Sequence, residues 1–123
     1  MQSHHDAAHL AALGREWIVA WNSHDLERVL ALYADDSEMT SDKIPALGFD
    51  ASGTLRGKTN IRAYWSKALQ LLPNLHFTLI DTYVSPDSIV VFYHNERGSK
   101  ICEYLRLNAA RKIVQGSANH LAH

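Results

Sequence analysis

Glu103 stands inside an apolar run, Ile101-Cys102-Glu103-Tyr104-Leu105. If that run is a strand, alternation places Glu103 on one face with Ile101, Leu105 and Leu107. His94 and His120 stand near the ends of two further β-type runs. A carboxylate beside one or two imidazoles in an apolar cavity suits general acid–base chemistry. Burial raises a Glu pKa and lowers a His pKa, towards the pH at which each both gives and takes a proton. A carboxylate also holds an imidazole in one tautomer. The same residues have a structural use: Glu103 could ion-pair with a nearby arginine, with His94 and His120 half-exposed at strand ends.

Other chemistries leave weaker traces. Two His and one Glu could form a facial-triad metal site, but the three lie in separate runs without local ligand spacing. No metal and no cofactor is expected. His5-Asp6-Ala7-Ala8-His9 has a helical two-His spacing, with Asp where zinc sites use Glu and no third ligand following. It reads as a solvated helix start. Gly53-Thr54-Leu55-Arg56-Gly57-Lys58-Thr59 lacks the first glycine of a phosphate loop, because Ser52 occupies that place, and it reads as a turn and helix cap. Cys102 alternates to the face opposite Glu103, as an outer-face residue rather than a nucleophile. Arg56 could guard a pocket mouth and select an anionic group, or simply be solvated. Trp17, Trp21, Tyr33, Tyr64 and Trp65 have helical spacing and are first of all core. Aromatic side chains also line many small-molecule cavities, and Tyr64 and Trp65 carry O–H and N–H donors.

The elements that must position these residues follow from periodicity. Apolar residues Leu10, Leu13, Trp17, Ala20 and Trp21 predict a helix over Ala7–Asn22. Asp25 is the expected N-cap of a second helix carrying Leu26, Val29, Leu30 and Tyr33, ended by Asp35-Asp36. A short strand is expected over Ser37–Ser41. Lys43–Gly57 contains Pro45, Gly48, Gly53 and Gly57 and reads as a long loop, a candidate rim or lid, since loops of ~12–15 residues are uncommon unless functional. A third helix is expected over Thr59–Leu72, stopped by Pro73-Asn74. Four β-type runs follow, Leu75–Ser85, Ser88–Arg97, Lys100–Asn108 and Ile113–His120, with short connections that favour antiparallel hairpins. Helices first and a strand meander afterwards mean an α+β fold.

The chain has 123 residues with a formal net charge of −1, which fits a single domain over 1–123, with 1–8 expected to be a flexible N-terminus. The balanced charge argues against nucleic-acid binding and against a polybasic membrane patch. Apolar stretches fall far short of the ~20 residues that span a bilayer. The lone Cys102 suits a reducing compartment, and no signal-peptide pattern is visible, so a cytoplasmic location is expected.

The element order, together with Trp21-Asn22-Ser23-His24-Asp25-Leu26, Leu32-Tyr33-Ala34-Asp35-Asp36 and Gly53–Lys58 before Ile61-Arg62-Ala63-Tyr64-Trp65, resembles the nuclear transport factor 2-like superfamily. That superfamily includes SnoaL-like polyketide cyclases and ketosteroid isomerases. The resemblance runs from about Leu10 to His120. It implies a cone-shaped α+β barrel, with three helices from the N-terminal half packed on a curved mixed or antiparallel sheet around a pocket. It also implies homodimers through the outer sheet face, here expected to carry Val91, Tyr93, Cys102 and Tyr104. It does not imply one function. The isomerase oxyanion-hole Tyr falls at Trp17, the general-base Asp falls at Ser41 with Asp42 one step on and expected to point the other way, and the second oxyanion acid falls at Glu103. Two of three roles are missing, which argues against steroid isomerisation by that route.

Matching the neighbouring strands to the family puts Val90, Phe92, His94 and Glu96 inward, and Val114, Gly116, Ala118 and His120 inward on the last strand. Catalytic candidates are then Glu103, His94 and His120, in a pocket lined by Trp17, Trp21, Tyr33, Ser41, Tyr64, Trp65 and Phe92. The expectation is a pocket protein for a small apolar or aromatic organic molecule. It would be a SnoaL-like enzyme doing cofactor-free isomerisation, cyclisation or dehydration at a carbonyl. The alternative is a non-catalytic ligand-binding or dimeric interaction module.

Overall fold

A computed structural model describes residues 5–122. Its elements are α1 (Ala7–Asn22), α2 (Leu26–Leu30), β1 (Tyr33–Thr40), α3 (Lys43–Ala46), β2 (Thr54–Arg56), α4 (Lys58–Leu71), β3 (Thr78–Val84), β4 (Ser88–His94), β5 (Lys100–Leu107) and β6 (Ile113–His120). The strands form one mixed sheet in the order β2-β1-β6-β5-β4-β3. The fold is α+β, as expected, but the sheet is not a closed barrel: β2 and β3 are its edges.

Local chemistry starts α1 and α2 where the sequence predicts. The Asp6 carboxylate accepts from the His9 amide at 2.8 Å and caps α1, and Asp25 accepts from the Arg28 amide to cap α2. Of the stretch 1–8 expected to be flexible, residues 1–4 lie outside the described residues. His5 is tied to the β3–β4 and β5–β6 turns, its amide donating to the Pro86 carbonyl and its ring bonded to the Asn108 carbonyl.

The second helix is shorter than expected. It ends at Leu30, and Tyr33, Asp35 and Asp36 belong to β1. Tyr33 is buried as a strand residue, paired in parallel with Ile113 of β6, so tertiary pairing overrides the apolar helical spacing there. The expected loop Lys43–Gly57 contains α3 and the edge strand β2, whose Leu55 pairs with Met39.

The antiparallel meander forms as predicted, and β5 has the predicted phase: Ile101, Glu103, Leu105 and Leu107 are buried. The phase of β4 is the reverse of the expected one. Val91 stands opposite Glu103 and Tyr93 opposite Ile101, so Ile89, Val91 and Tyr93 face inward. Val90, Phe92 and His94 face outward with Tyr104, Cys102 and Lys100. The run Ile89-Val90-Val91-Phe92-Tyr93 is apolar on both faces, so its alternation carries no phase. The outer face therefore presents Val90 and Phe92 beside Cys102 and Tyr104, in place of Val91 and Tyr93. On β6, Gly116, Ala118 and His120 face inward as expected, while a register shift puts Ile113 rather than Val114 opposite Leu107.

The helices α1 and α4 cover the inner face. Their aromatic residues lock into one cluster. Trp21 meets Trp65 edge-on at 5.0 Å, Tyr33 meets Trp65 at 4.9 Å, and Trp17 stacks on Phe77 at 5.8 Å. The Trp17 indole donates to the Tyr33 hydroxyl at 3.0 Å, which satisfies a buried polar pair. This cluster fills one end of the inner face and leaves the other end, towards α3 and the β4–β5 turn, unfilled.

Candidate active site

The unfilled end is a cavity of about 810 Å³, within the ~300–1,000 Å³ common for ligand pockets. Its walls are apolar, with Met39 from β1, Tyr64 from α4, Phe77 before β3, Tyr93 from β4 and Ala118 from β6. Its rim is charged, with Asp42, Lys43, Glu96, Arg97 and Lys100.

Two rim groups meet. His120 Nδ1 lies 3.0 Å from Asp42 Oδ1, with side-chain exposures of 27% and 68%. His120 reaches the cavity as the last inward residue of β6, opposite Ile101. Asp42 reaches it because β1 ends at Thr40. Ser41 and Asp42 then turn into α3, so strand alternation no longer governs where Asp42 points. Sequence reasoning assigned Asp42 to the other face by extending the strand one step too far. The available signal was Lys43-Ile44-Pro45-Ala46 just downstream, with Pro at a position a first helical turn tolerates. Ser41 is buried, and its hydroxyl accepts from the Lys43 amide at 3.1 Å, holding this turn. The contact sets the Asp42 carboxylate beside Nδ1 and leaves Nε2 as the ring nitrogen without that neighbour.

Glu103 lies one inward position along β5 from the residue opposite His120, but behind the cavity wall. It is buried, and the Tyr93 hydroxyl donates to its Oε1 at 3.0 Å. Burial pushes the Glu103 carboxyl up to about 7, against the opposing pull of the Tyr93 hydrogen bond. Burial and then the neighbouring Glu103 charge raise the Tyr93 hydroxyl well above its ordinary value. Tyr64 lines the cavity directly; burial raises its hydroxyl while the Ser41 hydroxyl beside it pulls the other way.

The predicted site residues thus divide. His120, Ser41 and Tyr64 line the cavity. Glu103 shares the inner face with His120 but supports the wall. His94 and Phe92 face outward, and the His94 ring is bonded to the Asn95 carbonyl at 3.1 Å. Trp17, Trp21, Tyr33 and Trp65 are core, outside the cavity lining. Arg56 pairs with Glu38 at 3.2 Å on the sheet edge and does not reach the cavity. Among the described residues, no group of three or more His, Cys, Asp or Glu side chains could hold a metal ion, and no helix is long and apolar enough to cross a membrane.

Helices packed on one face of a mixed sheet, with a cavity beside them, are the arrangement the sequence resemblance implies. The profile of the SnoaL-like domain family matches residues 14–114, so the chain belongs to that family. A SnoaL-like protein of unknown function from Burkholderia thailandensis is 37% identical, with a TM-score of 0.91 over 98% of this chain and 100% of that one. TerC, co-crystallised with polyporic acid, is 17% identical, with a TM-score of 0.73 over 90% of this chain and 88% of that one. A candidate SnoaL-like isomerase from Agrobacterium tumefaciens is 16% identical, with a TM-score of 0.72 over 90% of this chain and 96% of that one. The last two share the fold alone. No curated protein matches the chain.

Proposed function

We propose that this chain is an enzyme of cofactor-free acid–base chemistry on a small apolar or aromatic carbonyl compound, with His120 and Asp42 as its proton-handling pair. The observation that carries this is the 3.0 Å contact between His120 Nδ1 and Asp42 Oδ1 at the mouth of an apolar-walled cavity. His120 Nε2 takes a proton from a carbon next to the carbonyl, and the Asp42 carboxylate stabilises the imidazolium that forms. Charge moves to the carbonyl oxygen, where the Tyr64 hydroxyl is the donor available from the wall. The imidazolium then returns the proton to a different carbon, giving isomerisation, or to a departing hydroxyl group, giving dehydration. Attack of the enolate carbon on a second carbonyl gives cyclisation. Glu103 is a positioning residue here, fixing Tyr93 in the wall. The co-crystallisation of TerC with polyporic acid fits an organic-molecule site in this fold.

The test needs no knowledge of the natural substrate. Aryl ketones and β-dicarbonyl compounds are incubated with the protein in deuterated buffer, and loss of the C–H signal is followed by NMR. Wild-type protein is expected to exchange at least one compound, and Asp42→Asn and His120→Gln to slow exchange by about 10²-fold or more with an unchanged circular dichroism spectrum. Compounds that bind without exchanging, or exchange that survives both substitutions, would overturn the assignment. The proposal includes a homodimer through the outer face that carries Val90, Phe92 and Tyr104. Sedimentation equilibrium checks it, and a monomer at micromolar concentration would remove it.

A further inference from the structure

We infer that the occupant of this cavity is an organic anion, an apolar or aromatic body bearing a carboxylate-type group that the rim holds. This rests on the cavity being a ligand site, as proposed above, but not on the chemistry assigned to it. The protein carries 12 Lys and Arg against 13 Asp and Glu, so it has no general excess of positive charge. Most of its cations are engaged. Arg28 pairs with Glu16, Arg56 with Glu38, Lys58 with Asp35 and Arg62 with Glu27. Arg106, Arg111 and Lys112 hydrogen-bond to Gln115, His9 and the Ala31 carbonyl.

Among the described residues, the cationic side chains left without an ion pair or hydrogen bond are Arg15, Lys43, Lys67, Arg97 and Lys100. Lys43, Arg97 and Lys100 all line this cavity. They arrive from two separate elements: Lys43 opens α3, and Arg97 and Lys100 flank the β4–β5 turn at Gly98, whose φ of 79° reverses the chain there. Two carboxylates, Asp42 and Glu96, share the rim, so its cations exceed its carboxylates by one. Asp42 is engaged by His120, and Glu96 accepts from the His76 amide at 3.4 Å. Unpaired cations around an apolar-walled hole match a ligand whose body is apolar and whose exposed end is negative.

Two naphthalene dyes of the same skeleton test this: anionic 1-anilinonaphthalene-8-sulfonate and neutral N-phenyl-1-naphthylamine. Each is titrated by fluorescence at low and high salt. Wild-type protein is expected to prefer the anionic dye, with the preference shrinking at high salt. Arg97→Gln/Lys100→Gln is expected to weaken the anionic dye about fivefold and leave the neutral dye unchanged. Arg15→Gln/Lys67→Gln changes net charge equally but lies outside the lining, and is expected to change neither. Equal affinity for the two dyes, or an equal loss in both double variants, overturns the anion inference while leaving the acid–base proposal to its exchange assay. Failure of both dyes to bind overturns the anion inference and the cavity assignment together.

Discussion

The Tyr93 hydroxyl donates to Glu103 Oε1 at 3.0 Å, joining β4 to β5 on the inner face. One partner forms cavity wall and the other is sealed behind it. The bond therefore couples the shape of the cavity to the ionisation of a carboxyl group that solvent does not reach directly.

Stability should register that carboxyl. Its folded-state pKa of about 7 is raised from the ordinary 4.5 by burial. Between those values the folded protein holds a proton that the unfolded chain has released, so stability falls as pH rises through this window, by roughly 3 kcal/mol in all. Glu103→Gln mimics the protonated form. It should match wild type near pH 4.5, be the more stable protein near pH 8, and lack the difference in slope between. Urea unfolding at a series of pH values measures this; parallel profiles for the two proteins would contradict it.

Tyr64→Phe removes the wall hydroxyl without removing wall area. Binding of a neutral aromatic probe should be unchanged, while proton exchange on a responsive ketone should slow by about 10²-fold. Equal exchange rates would show that the developing charge is met elsewhere.

Asn22 grips the backbone of Phe77 at both polar groups, donating to its carbonyl at 2.8 Å and accepting from its amide at 2.7 Å. Phe77 is cavity wall. Asn22→Ala should cost about 2 kcal/mol, because two part-buried backbone groups lose their partner, and should weaken probe binding as well. Asn22→Asp keeps the acceptor but loses the donor, so thermal unfolding should place it well below wild type.

Gly14 sits where α1 crosses β3. A Cβ there would fall 2.7 Å from Thr82 Oγ1 and 3.0 Å from Cγ2. Alanine is the better helix former by about 1 kcal/mol, yet Gly14→Ala should destabilise, by about 1–3 kcal/mol from overpacking. Thr82 Oγ1 is buried without a partner, so Thr82→Ala removes the clash and forfeits no hydrogen bond. The double variant should recover most of the loss, which a double-mutant cycle in denaturant would reveal.

The fold was legible because its signals are periodic and local. The α1 and α4 stripes, the Asp25 cap and the hairpin turns each state their own geometry. The inward phase of Glu103 followed from its matched family position, and alternation carried it to Ile101, Leu105 and Leu107. The candidate site was legible only where a single phase decided it, as for His120. On β4, five consecutive apolar residues erase the phase, and His94 and Phe92 were placed on the wrong face. Asp42 was missed because it lies just past a strand end, where alternation no longer applies. The unpaired rim cations were invisible in the sequence, because whether a lysine is engaged depends on which carboxylates the fold brings to it.

The parallel pairing of β1 with β6 brings Asp42 and His120 together across 78 residues of chain. Closing so long a span costs chain entropy before its contacts can offset the loss. Contact order therefore predicts that the dyad closes after helices and hairpins that form from nearby sequence. A partly folded molecule, however rich in secondary structure, carries the dyad's two residues apart. Under the proposed chemistry, turnover would report closure of the sheet itself, and a cell would gain activity only from chains that have finished folding.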